Sequence, residues 1–103
     1  MKLRYTPEAR EDLLDIHRFI ASQYGNPDAA RKLTKKIMKS CSGLKEFPRM
    51  GMRLSEKIQR ETPLRYLICG NHFVFYRIDD TEISVIRILD GRTNYLQVLF
   101  AEE

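Results

Sequence analysis

The sequence predicts an α+β domain spanning residues 1–103, with two helices packed against an antiparallel sheet of about four strands. Three observations predict it. Apolar residues recur at three- and four-residue spacing from Ala9 to Tyr24 and again from Ala30 to Phe47, the period of two amphipathic helices. Helix-start signals, Thr6-Pro7 and Asn26-Pro27, stand just ahead of both runs. From Arg65 onward the pattern changes to β-rich runs broken by Gly70-Asn71 and Asp79-Asp80-Thr81.

Each element follows in order. Lys2-Leu3-Arg4-Tyr5 alternates polar and apolar and stops at Thr6-Pro7, which makes a short N-terminal strand. Thr6 then caps a helix. Pro7 suits the first helical position, where its missing N–H costs nothing, and Glu8 sits against the positive end of the helix dipole. Ala9, Leu13, Ile16, Ile20 and Tyr24 fall on one face of that helix, and Gly25 ends it. Asn26-Pro27-Asp28 opens the second helix, whose stripe of Ala30, Leu33, Ile37, Cys41, Leu44 and Phe47 continues until Pro48. So short a link makes the two helices an antiparallel hairpin. Between Pro48 and Pro63 the chain is polar and turn-rich, a loop with a short helical or extended piece near Met52 to Ile58. Arg65–Cys69 and His72–Ile78 flank Gly70-Asn71, a pair that tolerates the positive φ of tight hairpins. Glu82–Leu89 completes a three-strand antiparallel meander. Asp90-Gly91-Arg92-Thr93 ends the sheet, and residues 94–100 form a short C-terminal helix or an extended tail.

Composition excludes several classes of function. A chain with 43% hydrophobic and 31% charged residues is too apolar for intrinsic disorder. No apolar run approaches the ~18 residues of a membrane helix, and the charged start is no signal peptide, so a cytoplasmic chain with no membrane partner is expected. Cys41 and Cys69 lack metal-ligand spacing, and His17 and His72 lie far apart, so neither a metal, a cofactor nor a disulfide framework is implied. The net charge of +4 is segregated: Arg31, Lys32, Lys35, Lys36, Lys39 and Lys45 follow one another with no acid among them. Such a face can steer an acidic partner, while a solvated helix surface is its commoner meaning. Residues of both parities are apolar along Phe73–Ile78 and Ile83–Leu89, so both sheet faces need cover. The helix hairpin covers one. The tail around Leu96, Leu99 and Phe100 covers only part of the other, which leaves apolar sheet surface for another polypeptide.

The order of elements resembles the RelE/ParE superfamily of toxins from type II toxin–antitoxin systems. The resemblance is carried by Thr6-Pro7-Glu8-Ala9, by Leu44–Gly51 closing the second helix, by Arg65–Ile78 in the meander and by Val85–Arg92 leading out of it. It implies a small growth inhibitor neutralised when a cognate antitoxin wraps a helix and a strand around it in a hetero-oligomer. RelE-like members are ribosome-dependent mRNA endoribonucleases, whereas ParE-like members bind DNA gyrase. RNA cleavage needs a group to activate the 2′-hydroxyl, a proton donor and cations for the phosphate. Matching the meanders places Phe73, Thr93 and Leu99 where RelE-like nucleases carry Arg, Arg and Tyr. The ParE-like reading follows, with no catalytic residues of its own. Its alternatives are a nuclease built from Arg65, Arg92 and Tyr95, with the ribosome and mRNA as partners, and a non-toxic protein-binding relative.

The residues expected to contact a target or partner are Arg65, Arg87, Arg92, Tyr95, Leu99 and Phe100. Arg65 and Arg92 are expected near one end of the meander. Arg87 lies within an apolar strand, where a charge must be paired or reach water, so it reads as a groove residue or a structural ion pair. Tyr95, Leu99 and Phe100 read equally as an activity tail and as a packing strap. His72 reads as an exposed hairpin histidine.

Overall fold

The computed structural model describes residues 1–101. Strand β1 (Lys2–Tyr5) leads into helices α1 (Pro7–Gln23) and α2 (Pro27–Ser42), followed by a 3-10 turn at Gly43–Lys45. A two-residue strand β2 (Met52–Arg53) and a short helix α3 (Leu54–Ile58) occupy the turn-rich stretch. The meander β3 (Arg65–Cys69), β4 (His72–Ile78) and β5 (Glu82–Asp90) follows, and helix α4 (Tyr95–Phe100) closes the described chain. The sheet has five strands in the order β1-β5-β4-β3-β2, one more than expected. β1 pairs with β5 in parallel, Lys2 opposite Glu82 and Tyr5 opposite Val85, so the sheet is mixed and not wholly antiparallel.

Local chemistry sets the helix ends. The Thr6 hydroxyl oxygen accepts from the Ala9 N–H at 3.1 Å, and the same hydroxyl donates to the Ile86 carbonyl at 2.8 Å. One side chain therefore caps α1 and fastens it to β5. Asn26 Oδ1 caps α2 by accepting from Ala29 N–H at 3.0 Å. Gly25 at φ +56° makes the reversal between them. The apolar stripe of α2 was expected to run to Phe47, but the helix ends at Ser42. The tighter 3-10 turn keeps Leu44 fully buried and rotates Phe47 outward, where it is 63% exposed.

The helices cover one sheet face. Ala9, Ile37, Cys41, Val74, Val85 and Ile88 form the core between them, extended by Leu44, Tyr76 and Ile83. The opposite face is more fully covered than the sequence led us to expect. Leu54 and Ile58 of α3 and Tyr95, Val98, Leu99 and Phe100 of α4 pack on Tyr66, Phe75 and Leu89, and Phe75 has no exposure. Two short helices from separate parts of the chain share the cover, and the face stays open at Ile68 of β3 and Met52 of β2.

β5 carries a bulge. Val85 stands opposite Tyr76 and Arg87 opposite Phe75, so Ile86 is the extra residue. The bulge inverts side-chain parity along β5. Ile83 and Val85 face the helices before it and Ile88 after it, which accounts for the apolar residues at both parities.

Candidate functional site

Beyond Tyr5 no strand of the described residues continues along the outer edge of β5, and a cleft of about 650 Å³ opens between the second half of α1 and this end of the sheet. Ile16, Phe19 and Ile20 of α1 and Tyr24 at its C-terminal cap line it with Leu33 of α2, the hairpin turn Gly70-Asn71-His72, and Ile88, Asp90 and Arg92. Its floor is apolar and its rim charged. Phe19 and Tyr24 meet edge to face at 6.1 Å on its lip, yet remain 54% and 69% exposed. Large rings left this open after folding are surface that a partner can bury.

Arg92, Asp90 and His72 stand together at the mouth. The Arg92 guanidinium donates to both Asp90 oxygens at 3.1 and 3.0 Å, and its backbone N–H donates to Oδ1 at 2.8 Å. These hydrogen bonds hold the Asp90 carboxyl down to about 2. His72 lies opposite Asp90 in the ladder. It is half-buried, not fully exposed as the sequence suggested, because the turn folds it into the cleft. Burial pushes its pKa below the ordinary value, with Asp90 pulling it up and Arg92 down. Its Nδ1 is buried and has no hydrogen-bond partner among the described residues.

Deeper in, the Asp12 carboxylate binds Arg87 in a bidentate pair, with Nε and Nη2 each donating at 2.8 Å. Asp12 Oδ2 also accepts from the Ile88 backbone N–H at 2.8 Å. That N–H belongs to the strand edge that β1 no longer reaches, so one carboxylate neutralises the strand's charge and satisfies its orphan donor. Arg87 is thus half of a structural ion pair, its partner Asp12 standing on the wall of the cleft. The sequence reading missed Asp12, although a signal existed: it falls inside the apolar stripe, three residues after Ala9 and four before Ile16.

The remaining expected residues are elsewhere. Arg65 Nη2 donates to the carbonyls of Gly51 at 2.7 Å and Arg49 at 3.1 Å, which secures the loop before β2. Arg65 stands opposite Tyr76, whereas Asp90 aligns with His72 and Cys69 at the other end of the meander. The expectation that Arg65 and Arg92 share one end is therefore corrected. β3 and β5 run in the same direction, so the start of one lies away from the end of the other, by about 13 Å over the four residues from Arg65 to Cys69. Tyr95 packs on Phe73 and Phe75 at centroid distances of 5.6 and 5.2 Å, and the Arg60 guanidinium lies 4.2 Å from the Phe100 ring centre. Tyr95, Leu99 and Phe100 are a strap across the second sheet face. Arg65, Arg92 and Tyr95 do not converge on any common point, so the geometry gathers no set of phosphate-cleaving groups from them. Among the described residues no three His, Cys, Asp or Glu side chains are grouped to hold a metal, and no helix is long and apolar enough to cross a membrane.

Comparison with known proteins accords with this architecture. A solved chain from the chromosomal ParDE TA system of P. aeruginosa is similar at a TM-score of 0.74 and 25% identity, covering 87% of this chain and 95% of that one. No curated protein sequence matches. The family model described as ParE toxin of type II toxin-antitoxin system, parDE, matches residues 3–95, from β1 through the start of α4. The chain therefore belongs to the ParE toxin family of type II toxin–antitoxin systems.

Proposed function

We propose that this protein is a cytoplasmic toxin that arrests growth by binding DNA gyrase, without covalent chemistry of its own, and that a cognate antitoxin neutralises it in a hetero-oligomer. The observation that carries the gyrase reading over RNA cleavage is the separation of Arg65 from Arg92. Each is already engaged, one with the loop before β2 and the other with Asp90. Family membership supports the same choice. Target contact is assigned to Arg92, on the rim of the cleft, and antitoxin contact to the cleft itself, whose exposed Phe19 and Tyr24 suit the apolar anchors of an amphipathic segment.

Purified protein added to gyrase, ATP and supercoiled plasmid is expected to accumulate cleaved DNA after the enzyme is stripped with detergent and protease. Absence of cleavage at large excess over gyrase refutes the target. In cells, DNA synthesis is expected to fall before protein synthesis after induction without antitoxin, and the reverse order favours a ribosomal target. Phe19→Asp is expected to leave toxicity and folding intact while weakening antitoxin binding at least tenfold. Unchanged antitoxin affinity removes the cleft from that role.

A further inference from the structure

We propose that the outer face of α2 is a binding surface for the phosphate backbone of duplex DNA. Lys32, Lys35, Lys36 and Lys39 recur at i, i+3, i+4 and i+7, which puts all four on one face of the helix along about 10 Å of axis. The buried Ala30, Ile37 and Cys41 occupy the opposite side. All four lysines are exposed, and among the described residues none has a carboxylate within ion-pair distance. The nearest acid on that face, Asp28 in the first turn, is already engaged by Arg31.

An ordinary solvated helix face mixes signs, and α1 of this same chain shows it. There Arg18 bridges Glu11 at 3.2 Å and Asp15 at 3.3 Å. α2 has no acid from Arg31 to Ser42, and its one compensating pair, Asp28 with Arg31, leaves the four lysines untouched. Four uncompensated ammonium groups in a row repel one another, and a polyanion relieves that repulsion by taking the place of condensed counterions.

The composition of the stripe selects the polyanion. Protein interfaces are depleted of Lys and anchored by aromatic residues, Met or Arg. Single-stranded nucleic acid is held on stacking aromatic platforms. The stripe has no aromatic residue, so it offers point charges alone, the chemistry of backbone contact to a duplex. This surface lies on a different element from the α1 face of the cleft, and its use does not require gyrase to be the target.

The test is fluorescence anisotropy of the full chain on a labelled 24-base-pair duplex between 50 and 200 mM salt, with no gyrase present. Four phosphate contacts give a slope of log K against log salt near −3.6, an affinity loss of about 150-fold over that range. Lys35→Gln/Lys39→Gln is expected to halve the slope and reduce the loss to about 12-fold. Lys2→Gln/Lys57→Gln, which removes the same charge from exposed positions outside α2, is expected to leave the slope nearly unchanged. A stripe variant that binds like the wild type, a stronger preference for the single strand, or binding of polyglutamate without binding of duplex overturns the proposal. Thermal melting of each variant confirms that folding is intact.

Discussion

Replacing Asp12 by alanine removes three hydrogen bonds at once, two from Arg87 and one from the Ile88 N–H, all at 2.8 Å. The Asp12 side chain is 9% exposed and that of Arg87 27%, so water screens the pair only in part. Breaking a buried pair from one side costs about 3–5 kcal/mol, since an uncompensated charge is left behind. The partial exposure of Arg87 places this case near the lower end, about 3 kcal/mol. For a domain of this size that lowers the melting midpoint by roughly 12–24 °C. Arg87→Ala strands the Asp12 carboxylate and costs a similar amount. The double variant Asp12→Ala/Arg87→Ala is then expected near 3 kcal/mol and not 6, a coupling of about 3 kcal/mol between two groups that act as a unit. Urea unfolding followed by far-ultraviolet circular dichroism at pH 7 measures all three. A loss below about 1 kcal/mol for Asp12→Ala, or strict additivity of the two single variants, refutes the assignment of this pair as the tie between α1 and the bulged strand.

Other outcomes are equally open to measurement. A Cβ at Gly51 would lie 2.5 Å from the Tyr76 hydroxyl and 2.7 Å from the Tyr66 carbonyl, so Gly51→Ala is expected to cost about 2–3 kcal/mol in urea unfolding. Tyr76→Phe is expected to lose about 1–3 kcal/mol, because its hydroxyl donates to Pro48 O at 2.8 Å and accepts from Gly51 N–H at 3.1 Å. The two together cost less than their sum, since removing the hydroxyl vacates the nearest clash. The His72 pKa is lowered in the folded state, so stability is full above its ordinary value of 6.5 and declines as pH falls through it, where the unfolded chain takes the proton first. Asp90, held to about 2 against 3.8, adds a second loss as pH falls from about 4 toward 2. Urea midpoints across this range are expected to show both steps, with His72→Gln abolishing the first and Arg92→Gln reducing the second, since the backbone N–H of residue 92 still donates to Asp90. Burial pushes the Cys41 thiol up to about 11, against the partial opposition of its hydrogen bond to Tyr5. An aromatic disulfide reagent at pH 8 is expected to spare Cys41 in the native chain and modify it once urea unfolds the protein.

The helix hairpin was legible because its signals are local. Thr6-Pro7, Gly25, Asn26-Pro27 and two stripes at three-four spacing lie within a single stretch, and each cap the sequence announces forms. The Gly70-Asn71 turn was legible for the same reason, with Gly70 at φ +60°. What escaped are the properties that depend on distant partners. Nothing in Lys2–Tyr5 tells which sheet edge it joins or in which direction, and that choice makes the sheet mixed. The position of Arg65 was misjudged because the end of a sheet is defined by pairing across three strands. The cover of the second face was underestimated since α3 contributes one apolar residue at each end, Leu54 and Ile58, too few to register as a stripe. Asp12 and Arg87 carry opposite charges in otherwise apolar settings, and each strange position is explained only by the other, 75 residues away.

The parallel pairing of β1 with β5 also has a temporal meaning. Residues 2–5 are synthesised well before their partners at 82–85. Until β5 leaves the ribosome, β1 has no ladder to join and α1 lacks the strand it packs against, with only the β3–β4 hairpin available to the helices. Closing a loop of some 80 residues is also slow relative to forming a local hairpin. The chain consequently cannot complete its cleft before β5 has been made. An interrupted product that stops before β5 lacks the strand on which the floor of the site is built, so the timing of translation itself delays the appearance of a competent toxin.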